Sequence, residues 1–204
     1  MKMFDLSHKI VSDMPVYPGD RNVEILIEKS YEKDGYTLSS LISSMHAGTH
    51  IDTPSHLSES KLNMSDVDLV QCVGRGVLID VRDRMLIELS DIQDADIREG
   101  DIVIFLSGWS KYYGKTLYNE HPALSEETAD FLVDKRIKMI GLDMPSCDHY
   151  PYPIHKILMN SKILIAENLC NCESLLELNE FQLFAIPLKI EAEASLARIF
   201  AIGT

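Results

Sequence analysis

The chain has 204 residues, of which 46% are hydrophobic and 25% are charged, a composition typical of one globular domain with a full core. Its formal net charge of -13 argues against nucleic acids and membrane surfaces as partners, because both carry negative charge. No apolar run approaches the roughly 18 residues that a membrane-spanning helix needs, and Asp5 interrupts the N-terminus before a signal segment forms.

The four cysteines, none of them in a C-x-x-C pair, are typical of reduced thiols in a chain of this size. We therefore expect a cytoplasmic protein. Its expected partners are a small-molecule substrate and further copies of the same chain.

Strands are predicted along most of the sequence. The first two candidate segments alternate in part between polar and apolar residues, which is typical of half-exposed strands. The later segments are denser apolar runs that fit buried strands. The predicted strands cover residues 23–30, 36–44, 76–81, 101–108, 137–143, 162–168 and 181–190.

Helix signals are fewer than strand signals. Residues 124–136 have Ser125 as a predicted N-cap, with acids in the first turn and bases in the last. Residues 153–160 open with a proline, and residues 65–74 form a third predicted helix that Gly74 closes. Because strands outnumber helices and the order is mixed, we expect an α/β fold with a mixed central sheet.

The sequence HAGTHIDTPSH concentrates residues that bind metals. Imidazole and carboxylate groups, the usual ligands of zinc, manganese and iron, are supplied by His46, His50, Asp52 and His56. The glycine, the β-branched residues and the proline between them oppose a helix, so we expect the tip of a strand running into a turn, with Gly48 letting the chain bend. A polar solvated loop is the alternative interpretation.

A second pair of candidate ligands lies about a hundred residues downstream. His155 falls on a predicted helix, and Glu167 falls at the C-terminal end of a predicted strand, where sites in α/β proteins are commonly built. Taken alone, this pair is weak evidence for a site, because both residue types also occur there without a function.

The same residues resemble a known family. HAGTHIDTPSH matches at every fixed position the signature H-x-G-T-H-x-D-x-P-x-H of the bacterial kynurenine formamidase and cyclase family of metal-dependent hydrolases, which also contains isatin hydrolase. The segments DLSHKIVSDMPVYPGD, SGW, GLDMPSCD and AENLCN are similar to family segments in the same order. The resemblance implies one domain over residues 1–204, of the swivelling β/β/α type, in a homodimer or homotetramer.

The resemblance also implies a metal centre, most often two Zn²⁺ per subunit, with Mn²⁺ as the alternative. His46 and His50 would bind the first ion, and His155 would bind the second. Asp52 and Glu167 would bridge the two ions.

The activity implied is hydrolysis of an amide bond, of the arylformamidase type used in tryptophan catabolism. It would use a metal-activated water and His56 as general acid/base. Tyr17 occupies the position at which kynurenine formamidases typically have a substrate-contacting Trp, so it is a candidate substrate contact, and the substrate itself is left open. Asp143 and Ser146 either orient a ligand imidazole or cap strand ends.

Two alternatives to the arylformamidase interpretation remain. One is a cyclic amide or lactone hydrolase of the isatin hydrolase type. The other is a metal-binding module without turnover, although such a module would not need His56.

Overall fold

Strands dominate the secondary structure, as the sequence predicts. The computed structural model of the protein describes residues 2–203. Its strands are β1 (Lys2–Asp5), β2 (Glu24–Lys29), β3 (Leu38–Ile42), β4 (His50–Asp52), β5 (Val73–Asp80), β6 (Leu86–Ile87), β7 (Ile102–Leu106), β8 (Ala123–Leu124), β9 (Met139–Leu142), β10 (Leu164–Glu167), β11 (Phe181–Pro187) and β12 (Ala194–Gly203). Its α-helices are α1 (Tyr31–Asp34), α2 (Glu126–Asp134) and α3 (Pro153–Asn160).

The main sheet closes on itself. Its order is β1-β12-β11-β5-β7-β9-β10-β4, and the short strand β4 pairs with β12 as well as with β10. Strands β5, β7, β9 and β10 are parallel neighbours, whereas the pairings made by β4, β11 and β12 are antiparallel. The predicted α/β fold with a mixed sheet is therefore confirmed, and it takes the form of a closed, barrel-like arrangement.

Alternate residues of the parallel strands face two separate apolar cores, because successive side chains of a strand point to opposite faces. Ile102, Ile104 and Leu106 pack inside the closed sheet. Val103 and Phe105 pack on its outer face, in the core that also contains residues of α2 and α3. Burial on both faces explains why these strands read as continuous apolar runs in the sequence.

The predicted helix over residues 65–74 is wrong. Two short 3-10 turns, Met64–Asp66 and Leu69–Cys72, occupy most of this segment, and Gly74 lies inside strand β5. Glycine is needed in β5 for packing, because a Cβ at Gly76 would lie 1.9 Å from the ring of Phe181 on the neighbouring strand. The glycines of this segment thus allow close strand packing and do not end a helix.

Strands β2 and β3 form a hairpin that is not part of the main sheet. They form a two-stranded sheet of their own, and we call residues 24–42 the hairpin arm. Several large apolar side chains of the arm are exposed, and Ile27 is 74% exposed. The exposed apolar residues within β2 and β3 are Ile25, Leu26, Ile27, Leu38 and Leu41.

The helices of the described chain are short. Among residues 2–203, none has the length and the apolar character that crossing a bilayer requires.

Candidate active site

The structure brings the predicted site residues together around one cavity of about 270 Å³. The cavity lies near the C-terminal end of β10, between the sheet, the start of α3 and the loops that follow β1. All predicted site residues line it, namely Tyr17, His46, His50, Asp52, His56, His155 and Glu167.

A turn followed by a strand presents the first ligand candidates. Gly48 has a φ of +60°, which strains any residue with a side chain, and a Cβ there would lie 2.7 Å from Cε of Met14. The turn places His46 before the bend and leads directly into β4, which carries His50 and Asp52. The predicted strand and turn are both present, but their order at Gly48 is the reverse of the prediction, because the bend precedes β4.

The strand geometry sets which side chains meet. His50 and Asp52 are two residues apart in β4 and share one face, whereas Ile51 points into the interior of the closed sheet. Glu167 is paired with His50 in the antiparallel register of β10 and β4, so the two side chains lie side by side on the outer face. Nε2 of His50 is 3.4 Å from Oε2 of Glu167 and 3.4 Å from Oδ1 of Asp52.

Unsatisfied polar atoms mark the centre of this group. Four buried side-chain atoms of the described residues have no hydrogen-bond partner, and three of them belong to this cluster, namely Nε2 of His50, Oδ1 of Asp52 and Oε1 of Glu167. Leaving such groups unpaired in a protein interior is costly, so each one requires an explanation. Imidazole nitrogen and carboxylate oxygen directed at one point suit a divalent cation such as zinc or manganese, and the residues therefore fit a metal centre.

Both carboxylates of the cluster favour the ionised form. Burial raises the pKa of Asp52, but the charges of His50 and His46 outweigh burial and hold it below its usual range. Burial likewise raises the pKa of Glu167, and the contacts of His155 and His50 lower it overall. Two buried negative charges therefore face the cavity floor, and a bound cation would neutralise them.

His46 and His56 favour different protonation states. Burial lowers the pKa of His46, but the carboxylate of Asp52, 3.0 Å from Nδ1, and the charge of Glu167 raise it overall to about 9. Burial lowers the pKa of His56, and the attraction of Asp52 offsets this only in part. In the absence of metal, His46 thus favours the charged form at neutral pH and His56 favours the neutral form.

His56 lies within reach of the other imidazoles. Its ring centroid is 4.3 Å from that of His46 and 6.3 Å from that of His155. Its ring nitrogen also comes close enough to His46 and Asp52 for the three to share an ion. The role of His56 as general acid/base therefore stays a prediction, with metal binding as the competing role.

His155 enters the site from helix α3. Its Nε2 is 3.4 Å from Oε1 of Glu167, and its Nδ1 lies on the far side of the ring, 2.6 Å from Oδ1 of Asp148. The thiol of Cys147 is 3.3 Å from the same Nδ1. Asp148 and Cys147 were not identified from the sequence, because their contact with His155 depends on the turn that leads into α3.

Tyr17 lies at the opening of the cavity. Its ring is half exposed, and its hydroxyl is 3.2 Å from the hydroxyl of Tyr152, the residue before α3. The pair joins the loop after β1 to the start of the helix that carries His155. The role of Tyr17 in binding substrate stays a prediction.

Asn168 supports the bend at Gly48, and sequence reasoning missed it. Its side-chain amide donates to the carbonyl of Gly48 at 3.0 Å, and its Oδ1 accepts the hydroxyl of Tyr118 at 2.8 Å. Thr49 donates in turn to the carbonyl of Asn168 at 2.6 Å. The only signal in the sequence is the position of Asn168 directly after Glu167.

Neither Asp143 nor Ser146 forms a hydrogen bond to a histidine among the described residues. Asp143 accepts the backbone N–H groups of Ser107 and Gly108 at 2.9 and 2.8 Å, so it caps the end of β7. The hydroxyl of Ser146 accepts the backbone N–H of Asp148 at 3.4 Å. For Asp143, the alternative of a strand-end cap is the one that the structure supports.

A family model described as "Putative cyclase" matches residues 4–149 of the chain, well over half of its length. The chain belongs to the cyclase family. The matched part contains the cluster from His46 to His56, whereas His155 and Glu167 lie beyond it. The resemblance stated from the sequence is thereby confirmed.

Relatives of this cyclase-family chain cover it almost completely. An uncharacterized protein of Methanocaldococcus jannaschii is 31% identical over 99% of this chain and 100% of its own. A kynurenine formamidase of Erythrobacter litoralis is 27% identical over 97% of this chain and 92% of its own. Proteins named as kynurenine formamidases are thus among the relatives of the chain.

Solved structures of the cyclase family share the fold. Isatin hydrolase A from Labrenzia aggregata, solved with benzyl benzoate bound, is 25% identical, covers 100% of this chain and 94% of its own, and has a TM-score of 0.90. A predicted metal-dependent hydrolase from Bacillus stearothermophilus is 28% identical, covers 98% of this chain and 97% of its own, and has a TM-score of 0.79. Both of these solved structures are named as hydrolases.

Proposed function

We propose that this chain is a divalent-metal-dependent hydrolase that cleaves an amide bond of the arylformamidase type. The observation that carries the proposal is the convergence of unpaired buried atoms of His50, Asp52 and Glu167 beside two further imidazoles. The kynurenine formamidases among the relatives support the amide substrate.

The residues that would hold metal are His46, His50, Asp52, His155 and Glu167. Two ions, most often zinc with manganese as the alternative, would fit the pattern of the family. A bound divalent ion supplies a Lewis acid that lowers the pKa of water toward about 7 and polarises a carbonyl oxygen.

His56 moves the proton in this proposal. Its pKa lies below 6.5 because of burial, so the ring is neutral at pH 7 and one nitrogen can accept a proton from the attacking water. The same nitrogen then delivers the proton to the leaving nitrogen of the amide. Water and amide are converted to a carboxylic acid and an amine, and His56 returns to its starting state.

The cavity accommodates a small substrate. Its volume of about 270 Å³ is at the lower end of the range for ligand pockets, and Tyr17 offers an aromatic face at its opening. A small planar aryl amide fits these features. We further propose that the protein acts in the cytoplasm on a small molecule.

A second candidate is hydrolysis of a cyclic amide or lactone. The similarity to isatin hydrolase A, at a TM-score of 0.90, favours it. Because the same attack on a carbonyl would open a ring, only the substrate distinguishes the two candidates.

The decisive experiment combines metal analysis with a substrate screen. The purified protein is stripped with a chelator and reloaded with Zn²⁺ or Mn²⁺, and hydrolysis of N-formylkynurenine, other formanilides and isatin is measured in parallel. We expect formanilide hydrolysis that needs the metal. Metal-loaded protein that hydrolyses no amide, ester or lactone would contradict the proposal and favour a binding module.

A further inference from the structure

Asp148 is a buried carboxylate that lies behind the candidate metal centre. It is 3% exposed and sits between β9 and α3, on the side of His155 that faces away from the cavity. Each of its two oxygens contacts a different group. A buried carboxylate is retained only when its charge is well compensated, so these contacts need an account.

Oδ2 of Asp148 takes the place of an N-cap side chain for helix α3. Tyr152 occupies the N-cap position but makes no capping hydrogen bond with its side chain, and Pro153 has no N–H to offer. The next two backbone N–H groups, those of Ile154 and His155, both donate to Oδ2 of Asp148, at 2.6 and 3.2 Å. Asp148 thus fixes the first turn of the helix that carries His155.

Oδ1 of Asp148 fixes the orientation of the His155 imidazole. Oδ1 of Asp148 is 2.6 Å from Nδ1 of His155, and an ionised carboxylate can only accept a hydrogen bond. Nδ1 therefore carries a hydrogen, and Nε2 is the nitrogen that faces Glu167 and the cavity and that would bind a metal. The thiol of Cys147, 3.3 Å from the same nitrogen, is a much weaker acceptor.

His50 is anchored in a different way. Its Nδ1 is 2.8 Å from the carbonyl oxygen of Gly48, a neutral acceptor, and its Nε2 also faces the cluster. Of these two imidazoles, only that of His155 has a carboxylate at Nδ1. A carboxylate behind a ligand imidazole makes it a stronger donor than a carbonyl does.

We propose that Asp148 is a positioning residue for the metal centre, with Oδ1 holding His155 in the Nδ1–H form that presents Nε2 to the metal and Oδ2 holding the first turn of α3. This inference rests on the proposed metal-dependent function. It assigns a role in metal binding to a residue that does not itself line the cavity.

The test is an Asp148→Asn variant with zinc affinity as the readout. The variant keeps the size of the side chain, but its amide has one accepting oxygen and one donating nitrogen, so it cannot serve both the helix N–H groups and the imidazole. We expect zinc affinity, measured by competition with a chromophoric chelator, to fall by about 10- to 100-fold. In the zinc-loaded wild-type protein, the Nδ1–H proton of His155 should give a downfield, exchange-protected NMR signal that is lost or moved upfield in the variant.

Asp143→Asn is the matched control. Asp143 is also fully buried and accepts two backbone N–H groups and one side-chain donor, but that donor is the hydroxyl of Ser107 and not an imidazole. We expect Asp143→Asn to lower the melting temperature at least as much as Asp148→Asn while leaving zinc affinity within about twofold, because mutations at independent sites rarely couple.

Three results would overturn the inference. Zinc affinity of Asp148→Asn equal to wild type would do so, and so would an equal loss in both variants, which would indicate a general effect on stability. If Asp148→Asn does not fold, the wild-type spectrum still decides, because a zinc-loaded protein without a hydrogen-bonded Nδ1–H at His155 contradicts the assignment. A wild-type protein that takes up no zinc or manganese would instead show that the proposed function has failed.

Discussion

His50 and Glu167 lie directly opposite each other on the antiparallel strands β4 and β10, with Nε2 of one 3.4 Å from Oε2 of the other. Neither the imidazole nitrogen nor the second oxygen of Glu167 has a hydrogen-bond partner. The sheet register therefore holds two metal-binding groups together in an arrangement that is unfavourable without a cation.

The first prediction concerns His50. The variant His50→Ala should lose bound metal and hydrolytic activity together, because it removes an imidazole from the centre of the cluster. His121→Ala is the control, since His121 is also buried but its Nδ1 contacts the carbonyl of Pro122 and it does not line the cavity. Metal content by atomic emission checks both variants, and an active, metal-replete His50→Ala protein would contradict the ligand assignment.

The second prediction separates the two roles open to His56. If His56 is the general acid/base, His56→Ala should lower kcat by about 10²- to 10⁴-fold while metal content stays normal. Loss of metal in the same variant would make His56 a ligand with His46 and Asp52, whose atoms lie within reach of it. Full turnover by the variant would exclude both roles.

The third prediction is a pH dependence of the metal-free protein. The pKa of His46 is about 9 in the folded chain, above the 6.5 of an unperturbed histidine. Stability from this group is therefore fully present below pH 6.5 and is lost as the pH rises through about 9. The melting temperature of the chelator-treated protein should fall over this interval.

Two comparisons isolate the contribution of His46. A His46→Gln variant should show a flatter pH dependence, because the titrating group is absent. The metal-loaded protein should also be flatter, since a coordinated imidazole does not take up a proton. A metal-free wild-type protein whose stability rises between pH 6.5 and 9 would contradict the prediction.

The fourth prediction concerns the charge of the substrate. None of the described residues that line the cavity is Lys or Arg, whereas Asp20 lines it beside Tyr17 and forms no salt bridge among residues 2–203. A formanilide with an aminomethyl group should therefore have a higher kcat/KM than one with a carboxylate. Unit charges about 4 Å apart in a water-like medium interact by about 1 kcal/mol. Because Asp20 attracts the cationic substrate and repels the anionic one, its charge separates them by about 2 kcal/mol, and we expect Asp20→Asn to reduce this preference by about 30-fold.

The control for Asp20 must match its effect on overall charge. Asp134→Asn removes the same charge at the exposed end of α2, away from the cavity. An equal change of preference in both variants would indicate a long-range field and not a contact at the cavity opening.

The fifth prediction concerns the hairpin arm. Isolated two-stranded hairpins are marginally stable, and exposed apolar patches on monomers are usually small, so we expect the arm to be covered by a second copy of the chain. Light scattering should give a dimer or tetramer. Ile27→Asp in the arm should shift the assembly toward monomer, whereas Leu69→Asp, at a similarly exposed position outside it, should not. A monomeric wild-type protein would contradict the prediction.

Apolar patterning was sufficient to predict much of the fold. The dense apolar runs at β5, β7, β9 and β10 predict strands, and β7, β9 and β10 are buried on both faces whereas β5 is only partly buried. Strand β4 was predicted only as the tip of a strand without bounds, because its three residues form a strand only through pairing with β10 and β12. Strand β12 was missed although its alternation, with Ile199 and Ala201 buried, is an ordinary strand signal.

The sequence was sufficient to predict the candidate metal ligands, but not the residues that hold those ligands in place. The cluster from His46 to His56 is visible in one short segment, and the family resemblance joined it to His155 and Glu167. Asp148 could not be found in the same way, because an aspartate seven residues before a histidine faces its imidazole only when the intervening chain turns back. Asp143, a few residues earlier in the same segment, contacts Ser107 and Gly108.

Strand β4 both closes the main sheet, by pairing with β10 and β12, and carries two of the proposed metal ligands. Any opening of the sheet at this strand would separate His50 and Asp52 from Glu167 and dismantle the centre. Because a ligand that binds only the closed form stabilises that form, bound metal would make opening of the sheet at β4 less favourable. The rate at which metal leaves the protein would then report how often the barrel opens at its shortest strand.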